Sequence, residues 1–286
     1  MKLALGTAQF GLDYGISNAD GKVDSSEVNK ILTLAKKEGI NTLDTAPAYG
    51  DSEKVLGCTQ LTKAFNIVSK IPLLQHDEIN IAPYVDSSLK QLNINKLDAV
   101  LFHHADDIIS SSIAHQRFKS LMRQKELGNI NKIGISVYSP EQLEFCTKHY
   151  SIDIVQLPLS CIDQRFIESD WMNKLANKNI EVHCRSLFLQ GLLLVKPKDL
   201  PKNLTVFKPY FQRFEDTALQ LKVSQLSLAL AIKNQYPSIK KLVIGCCNVK
   251  QLSEIIKAYS EAKKITADLS TFSCKDENLI IPSNWH

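Results

Sequence analysis

Four side chains that handle protons fall within the first 103 residues: Asp44, Tyr49, Lys70 and His103. A free phenol has a pKa of about 10 and is a poor acid at neutral pH, but a neighbouring lysine ammonium lowers that pKa. A buried carboxylate would keep the lysine charged and oriented. A histidine N–H can polarise a carbonyl oxygen where negative charge develops. The four residue types together predict proton donation from Tyr49 to a substrate carbonyl.

Each of these residues also has a purely structural explanation. Asp44 could cap a turn, Lys70 could be a solvated strand end, Tyr49 could pack against the helix-like run 51–57, and His103 could be a hydrogen-bonded barrel histidine. A joint role is favoured because three of the residues end consecutive apolar segments and the fourth follows the first of these segments by one loop.

Short apolar segments alternate with amphipathic stretches along the chain. The candidate strands are 3–6, 41–44, 66–70, 97–103, 131–135, 152–156, 180–185 and 240–245. The clearest candidate helices are 26–38, 112–127, 139–148, 224–236 and 248–262. This alternation predicts parallel strands with helical crossovers, and eight repeats predict one closed (β/α)8 barrel domain over 1–286. An open doubly wound sheet is the alternative, but neither GxGxxG nor GxxxxGK[ST] occurs in the sequence.

In such a barrel the chemistry lies at the carboxyl ends of the strands. Asp44, Lys70 and His103 end the second, third and fourth candidate strands, which are neighbours roughly 5 Å apart. Tyr49 leaves the second strand on the same side. We therefore expect the four side chains to converge at the barrel mouth.

Two further segments have alternative interpretations. The irregular stretch 190–212 reads either as a solvated loop or as a flap over an anionic ligand. The tail 276–286 carries Leu279, Ile280, Ile281 and Trp285, and we expect it to pack on the barrel wall or over the mouth.

Composition narrows the class of protein. The net charge is +4 with Lys and Arg interspersed among Asp and Glu, which favours neither nucleic acid nor an anionic membrane as a partner. No apolar run reaches the roughly 18 residues of a membrane span, and the N-terminus reads as a first strand rather than a signal peptide. Seven cysteines without a ligand or disulfide spacing indicate reduced thiols and a cytoplasmic location.

Several motifs resemble the aldo-keto reductase family along nearly the whole chain. "LDTAPAYGDSEKVLG" (43–57) is similar to the signature with the catalytic Asp and Tyr, "IVSKI" (67–71) to the lysine strand and "LDAVLFHH" (97–104) to the histidine strand. Weaker likenesses are "LGTAQFG" (5–11), "KIGISVYSPEQLE" (132–144), "IVQLPLS" (154–160), "SLFLQGLL" (186–193) and "LVIGCCNVKQLSE" (242–254).

The resemblance implies hydride transfer between NAD(P)H and an aldehyde, ketone or sugar carbonyl, or the reverse oxidation of an alcohol. It implies that the catalytic residues are Asp44, Tyr49, Lys70 and His103. Of the two adjacent histidines, it assigns His103 rather than His104 to this set. The implied cofactor residues are Gly6, Thr7, Asp44, Ser136, Gln156, Ser186, Leu187, Gln190, Gly245, Asn248, Gln251 and Glu254. Candidates for the substrate pocket are Phe10, Tyr14, His104 and Tyr138.

The cofactor segment departs from the family pattern. Val137 stands where an asparagine commonly follows the serine, and Ile255 replaces an asparagine near the adenine. Cys246 and Cys247 follow the glycine where many relatives carry a cation for the 2′-phosphate of NADP. Lys250 or a lysine within 196–208 could compensate. NADPH is the family default, and NADH remains open.

Two other functions compete with this reading. The first is a metal site formed by His103, His104, Asp106 and Asp107, although the first strand carries no His-x-His pair. The second is a regulatory subunit that binds the cofactor with little turnover. The oligomeric state is not readable from the sequence.

Overall fold

Eight parallel strands close into a barrel in sequence order, which confirms the predicted (β/α)8 fold. The computed structural model describes residues 1–16, 18, 21–110 and 112–285. Each strand lies within two residues of its predicted bounds. The strands are β1 (Leu3–Gly6), β2 (Thr42–Asp44), β3 (Asn66–Ile71), β4 (Leu97–Phe102), β5 (Ile130–Ser136), β6 (Ile154–Pro158), β7 (Glu181–Arg185) and β8 (Ile239–Ile244).

Helices connect the strands around the outside of the barrel. In chain order they are α1 (Ala8–Gly11), α2 (Ser25–Lys37), α3 (Ser52–Gly57), α4 (Ala82–Leu92), α5 (Asp106–Ile109), α6 (Ala114–Glu126), α7 (Pro140–His149), α8 (Arg165–Glu168), α9 (Trp171–Asn177), α10 (Lys208–Gln220), α11 (Gln225–Leu230), α12 (Ile232–Gln235), α13 (Val249–Ala262) and α14 (Glu277–Ile280). Asp24 caps α2 by accepting hydrogen bonds from the N–H groups of Ser26 and Glu27. No described helix has both the length and the apolar character needed to cross a bilayer.

Two predicted elements differ in the structure. The predicted helix 224–236 is two helices, α11 and α12, which meet at Ala231. The segment 190–212, expected as a solvated loop or a flap, has an exposed side that carries its four lysines, but it is more regular than a loop. The segment forms 3-10 turns at Leu189–Leu194, Pro197–Asp199 and Lys202–Phe207 before α10 begins. Three leucines of this segment are buried: Leu192, Leu193 and Leu204. Removing their side chains from water stabilises the packing of the segment against the rest of the protein.

The C-terminal tail packs against the loop that follows β6. Arg165 Nη2 donates to the carbonyl of Ile280, and Leu279 is completely buried. Trp285 Nε1 donates to the carbonyl of Leu279 at 2.9 Å. The tail therefore packs as predicted, beside the segment that follows β6.

The barrel interior is packed in layers by alternate residues of the strands. Val68, Ala99, Leu101 and Ile154 form a separate buried apolar cluster, distinct from the large core between strands and helices. The next inward position toward the carboxyl end is two residues further along each strand. That position is occupied by Lys70 on β3 and Gln156 on β6, so an apolar layer supports a polar one.

Candidate active site

A buried ion pair lies at the base of the barrel mouth. Lys70 Nζ is 2.8 Å from Asp44 Oδ2, and both residues are almost fully buried. Lys70 Nζ also donates to the carbonyl of Thr45 at 2.9 Å. Gln156 Nε2 donates to Asp44 Oδ1 at 2.6 Å. Both carboxylate oxygens of Asp44 are thus occupied, which fixes the ammonium of Lys70 in place.

The loop after β2 places Tyr49 above this pair. The Tyr49 N–H donates to the carbonyl of Ala46, and the carbonyl of Tyr49 accepts from the Ser52 N–H that opens α3. Lys70 Nζ lies 4.8 Å from the centre of the Tyr49 ring. The His103 ring meets the Tyr49 ring edge to face, with centroids 5.9 Å apart. The four predicted residues are therefore brought together.

A close contact with the β1–α1 segment fixes the Tyr49 turn. A Cβ atom on Gly11 would lie 1.8 Å from the carbonyl oxygen of Tyr49, so only glycine allows this approach. Ser52 Oγ donates to the carbonyl of Thr7 at 2.9 Å. The first strand and its turn thus hold the loop that carries the tyrosine.

Burial and neighbouring charges compete in setting the pKa values of Tyr49 and Lys70, and both values end above the ordinary ones. Burial raises the pKa of Tyr49 above its ordinary value; Lys70 lowers it, as expected, but does not offset burial. The expectation of a net lowered pKa for Tyr49 is therefore wrong. Burial lowers the pKa of Lys70, but Asp44 and Tyr49 together raise it above its ordinary value. Lys70 stays charged and Tyr49 stays protonated at neutral pH.

His103 is a neutral imidazole. Burial first, then the charges of Lys70, His104 and Arg185, lower the pKa of His103 to about 3. Its Nδ1 is buried without a hydrogen-bond partner among the described residues. A neutral imidazole at this position can donate one N–H to an oxygen atom without competing for the proton of Tyr49.

A cavity of about 700 Å³ opens above these residues, a size typical of small-molecule and cofactor sites. Tyr49, Asp44 and His103 line one part, whereas Lys70 lies buried beneath it. The predicted cofactor and substrate residues that line the cavity are Gly6, Thr7, Gln156, Ser186, Leu187, Gln190, Gly245, Gln251, Glu254, Tyr14 and Tyr138.

Besides Lys70, four predicted residues are not among the described residues that line this cavity. Phe10 is completely buried in the core, because α1 turns its side chain inward, so its assignment to the substrate pocket is wrong. Asn248 caps α13 by accepting from the Gln251 N–H. Ser136 is buried in register with Gln156 on β6. His104 contacts His103, with ring centroids 5.1 Å apart.

Sequence reasoning missed Arg185, which ends β7 and lines the cavity. Its position at the carboxyl end of a candidate strand was the available signal, because that is where barrel chemistry lies. Gln9, next to Gly245, was missed as well, and it lines the cavity between β1 and β8.

The metal alternative has no geometric support among the described residues, where no group of three His, Cys, Asp or Glu side chains is placed to hold an ion. Asp107, one of the candidate ligands, instead accepts from the Leu74 N–H at 3.3 Å and lies 3.8 Å from Arg117 Nη1. Its carboxylate has a structural role in the loop after β4.

The residues around the cavity also fit a dinucleotide. Gln156 Oε1 is buried without a partner among the described residues, while its Nε2 is used by Asp44, so an acceptor is left for an amide N–H of a ligand. Glycines lie along the cavity wall at Gly6, Gly191 and Gly245. At Gly245 the missing Cβ leaves room for the side chain of Gln9, whose Nε2 would lie 2.7 Å from an added Cβ.

By fold and by site, the chain is a (β/α)8 barrel with four proton-handling side chains gathered at one cavity. The model of the aldo/keto reductase family matches residues 2–272, and the chain belongs to that family. The aldo-keto reductase YhdN of Bacillus subtilis is 26% identical over 163 residues, which are 52% of this chain and 48% of YhdN. The match thus spans about half the length of this curated relative.

Solved structures of similar fold cover nearly the whole chain. An aldo-keto reductase from Bacillus halodurans, in its holo form, has a TM-score of 0.73 at 18% identity, with 95% of this chain and 90% of that chain covered. A glycerol dehydrogenase from Gluconobacter oxydans has a TM-score of 0.72 at 23% identity, with 98% and 92% covered. At these identities the likeness concerns the fold.

Proposed function

We propose that this protein is an oxidoreductase that reduces an aldehyde, ketone or sugar carbonyl with NAD(P)H, or oxidises the corresponding alcohol. The observation that carries the proposal is the buried Lys70–Asp44 pair beneath Tyr49 at a cavity. A lone buried lysine would lose its charge, whereas the paired lysine keeps it where a phenolate would form. Membership of the aldo/keto reductase family supports the same chemistry.

Each residue then has a definite part in carbonyl reduction. When bound, the reduced nicotinamide supplies a hydride to the carbonyl carbon. Tyr49 donates its phenolic proton to the carbonyl oxygen, and the Lys70 ammonium stabilises the phenolate left behind. Asp44 keeps Lys70 charged and oriented. His103 donates an N–H to the same oxygen as its negative charge grows.

Gln156 is the residue best placed to hold the nicotinamide amide, through its unpartnered Oε1. The cavity continues to the start of α13, where Cys246, Cys247, Gln251 and Glu254 line it. In the described part of that wall there is a carboxylate but no cation to pair with a 2′-phosphate. NADPH is the family default. Without a cation for its 2′-phosphate, we expect this wall to discriminate only weakly between NADPH and NADH, so NADH is also a candidate.

The test begins with titrations of the purified protein by NADPH and by NADH, followed through tryptophan and cofactor fluorescence. The cofactor that binds is then held in the protein, and its oxidation is followed in a single turnover with a panel of aldehydes, ketones and sugars. We expect binding of at least one cofactor and its oxidation by a reactive aldehyde.

Failure of both cofactors to bind would overturn the proposal. Binding with no oxidation by any carbonyl compound would instead favour a regulatory subunit that keeps the fold and the cofactor site. Tyr49→Phe serves as the matched variant, because it keeps the ring and removes only the proton to be donated.

A further inference from the structure

The inference concerns Glu27, which lies in the first turn of α2 and reaches the start of α13. Its Oε1 accepts a hydrogen bond of 2.7 Å from the N–H of Val249, the first residue of that helix. Only 17% of the Glu27 side chain is exposed to solvent. A helix N-terminus is otherwise a ready site for a phosphate, because its N–H groups point outward and its dipole favours negative charge. Glu27 already places a negative charge there.

Two further N–H groups at the start of α13 are taken by side chains of the same segment. Gln251 Oε1 accepts from the Cys247 N–H at 2.7 Å. Asn248 Oδ1 accepts from the Gln251 N–H at 2.9 Å. Three backbone donors that could bind an anion are thus occupied by the protein itself.

The charge of Glu27 is close to the cavity proposed for the cofactor. Cys246, which lines this cavity, comes three residues before Val249. Burial first, and then Cys247 and Glu27, raise the pKa of the Cys246 thiol, so the field of Glu27 reaches the cavity wall. Glu254 lines the same part of the cavity and adds a second carboxylate. This end of the described cavity wall therefore favours a ligand group without negative charge.

Two nearby lysines do not reverse this effect. Lys30 Nζ pairs with Glu27 Oε2 at 3.0 Å, but 62% of the Lys30 side chain is exposed, so solvent and salt screen its charge. Lys250, in the first turn of α13, is exposed and is not among the described residues that line the cavity. The carboxylate of Glu27, in contrast, is fixed against the helix by the Val249 N–H.

We propose that the protein selects NADH over NADPH and that Glu27 is the residue that excludes the 2′-phosphate. The inference rests on the proposed use of a nicotinamide dinucleotide. A phosphate monoester carries about 1.5 to 2 negative charges at neutral pH, so Glu27 would repel it, and it would find the N–H groups of α13 occupied. The 2′-hydroxyl of NADH is neutral and can donate a hydrogen bond to an acid such as Glu254. Glu27 thus acts by repelling the wrong cofactor and does not need to contact the right one.

The test compares the dissociation constants of NADH and NADPH, measured by cofactor fluorescence and by calorimetry without any substrate. Wild-type protein should bind NADH at least about 10-fold more tightly than NADPH. Glu27→Gln keeps an acceptor for the Val249 N–H and removes the charge, so it should tighten NADPH binding by about 10-fold and leave NADH nearly unchanged. Cys247→Arg supplies a cation for the 2′-phosphate and should also tighten NADPH binding alone.

Glu126→Gln is the matched control, because Glu126 also forms an i,i+3 pair, with Arg123, but lies on α6 with 60% of its side chain exposed. It should leave both dissociation constants unchanged. Higher salt should reduce the wild-type preference for NADH, because salt screens repulsion between charges, whereas a purely steric preference would not respond. Thermal melting checks that each variant is folded.

Equal or tighter binding of NADPH by the wild type would overturn the inference and leave the proposed function standing. Loss of that binding in Lys250→Gln would then assign the cation for the 2′-phosphate to Lys250. A preference for NADH that is unchanged in Glu27→Gln would remove Glu27 as its cause. If neither dinucleotide binds, the proposed function fails and the inference fails with it.

Discussion

The ammonium of Lys70 lies 2.8 Å from Oδ2 of Asp44, with only 1% of one side chain and 4% of the other exposed to solvent. Two opposite charges buried in this way depend on each other, because either one alone would be left in a medium that solvates it poorly. The pair therefore links the stability of the barrel to the chemistry of Tyr49.

Removal of the Asp44 charge should be costly for folding. Asp44→Asn leaves Lys70 buried without a counter-charge, and we expect a loss of about 3–5 kcal/mol in the free energy of unfolding. Asp51→Asn is the matched control, because the Lys22–Asp51 pair is exposed to solvent and should contribute far less to stability than the buried pair. Urea unfolding measures both. Equal losses in the two variants would contradict a special role for the buried pair.

Tyr49→Phe should abolish most turnover while the protein stays folded and binds cofactor. Loss of a general acid typically lowers the rate by about 100- to 10,000-fold. Tyr84→Phe is the control, since the Tyr84 hydroxyl bonds to Glu78 rather than to residues of the cavity. Stopped-flow oxidation of the bound cofactor gives the rate of the chemical step. A Tyr49→Phe rate near that of the wild type would remove Tyr49 as the proton donor.

The pH dependence of reduction should follow the protonated form of Tyr49. Burial is the largest cause of its raised pKa, so the phenol remains protonated across the neutral range. We expect the single-turnover rate to stay level from about pH 6 to 9 and to fall only as the pH rises through this raised pKa. A fall centred near neutral pH would show that a different group donates the proton.

His103 should make the protein less stable in acid. Its folded-state pKa of about 3 is below its ordinary value, mainly through burial, so protons bind preferentially to the unfolded chain as the pH falls below about 6.5. The stabilising contribution is therefore present above that pH and is lost between about 6.5 and 3, with a slope of at most about 1.4 kcal/mol per pH unit.

Unfolding curves of wild type, His103→Gln and the exposed control His115→Gln, taken across this range, measure the effect. We expect a shallower acid slope for His103→Gln only. Parallel curves for all three proteins would mean that His103 binds protons equally in the folded and unfolded states, against a lowered pKa.

Gly11→Ala should displace Tyr49 and lower turnover, although Gly11 itself does not contact the substrate. The added methyl group would lie 1.8 Å from the carbonyl oxygen of Tyr49, so the loop must move and Tyr49 with it. Gly128→Ala is the control: its φ of +82° is also unfavourable for alanine, but nothing lies within 4 Å of the new atom. Both variants should lose stability, and only Gly11→Ala should also lose turnover. Full activity of Gly11→Ala would show that the contact does not position Tyr49.

Much of the architecture was predictable because its causes are local. Short apolar segments that alternate with amphipathic helical stretches predict eight strands and their helical crossovers. The last residue of each apolar segment then marks the carboxyl end of a strand, where barrel chemistry lies. Asp44, Lys70 and His103 were placed on neighbouring strand ends by this reasoning alone, and the structure brings them together with Tyr49.

The features that the sequence did not decide depend on contacts between distant segments. Phe10 sits in the core rather than in the cavity, and the pKa of Tyr49 is raised rather than lowered, because burial is set by the packing of the whole barrel. Arg185 is a plain strand residue in the sequence. Only the tertiary structure shows that Arg165 occupies the carboxylate of Asp163 and leaves the guanidinium of Arg185 facing the cavity. Periodicity determines where a residue falls on its element, whereas burial and partners depend on the elements packed around it.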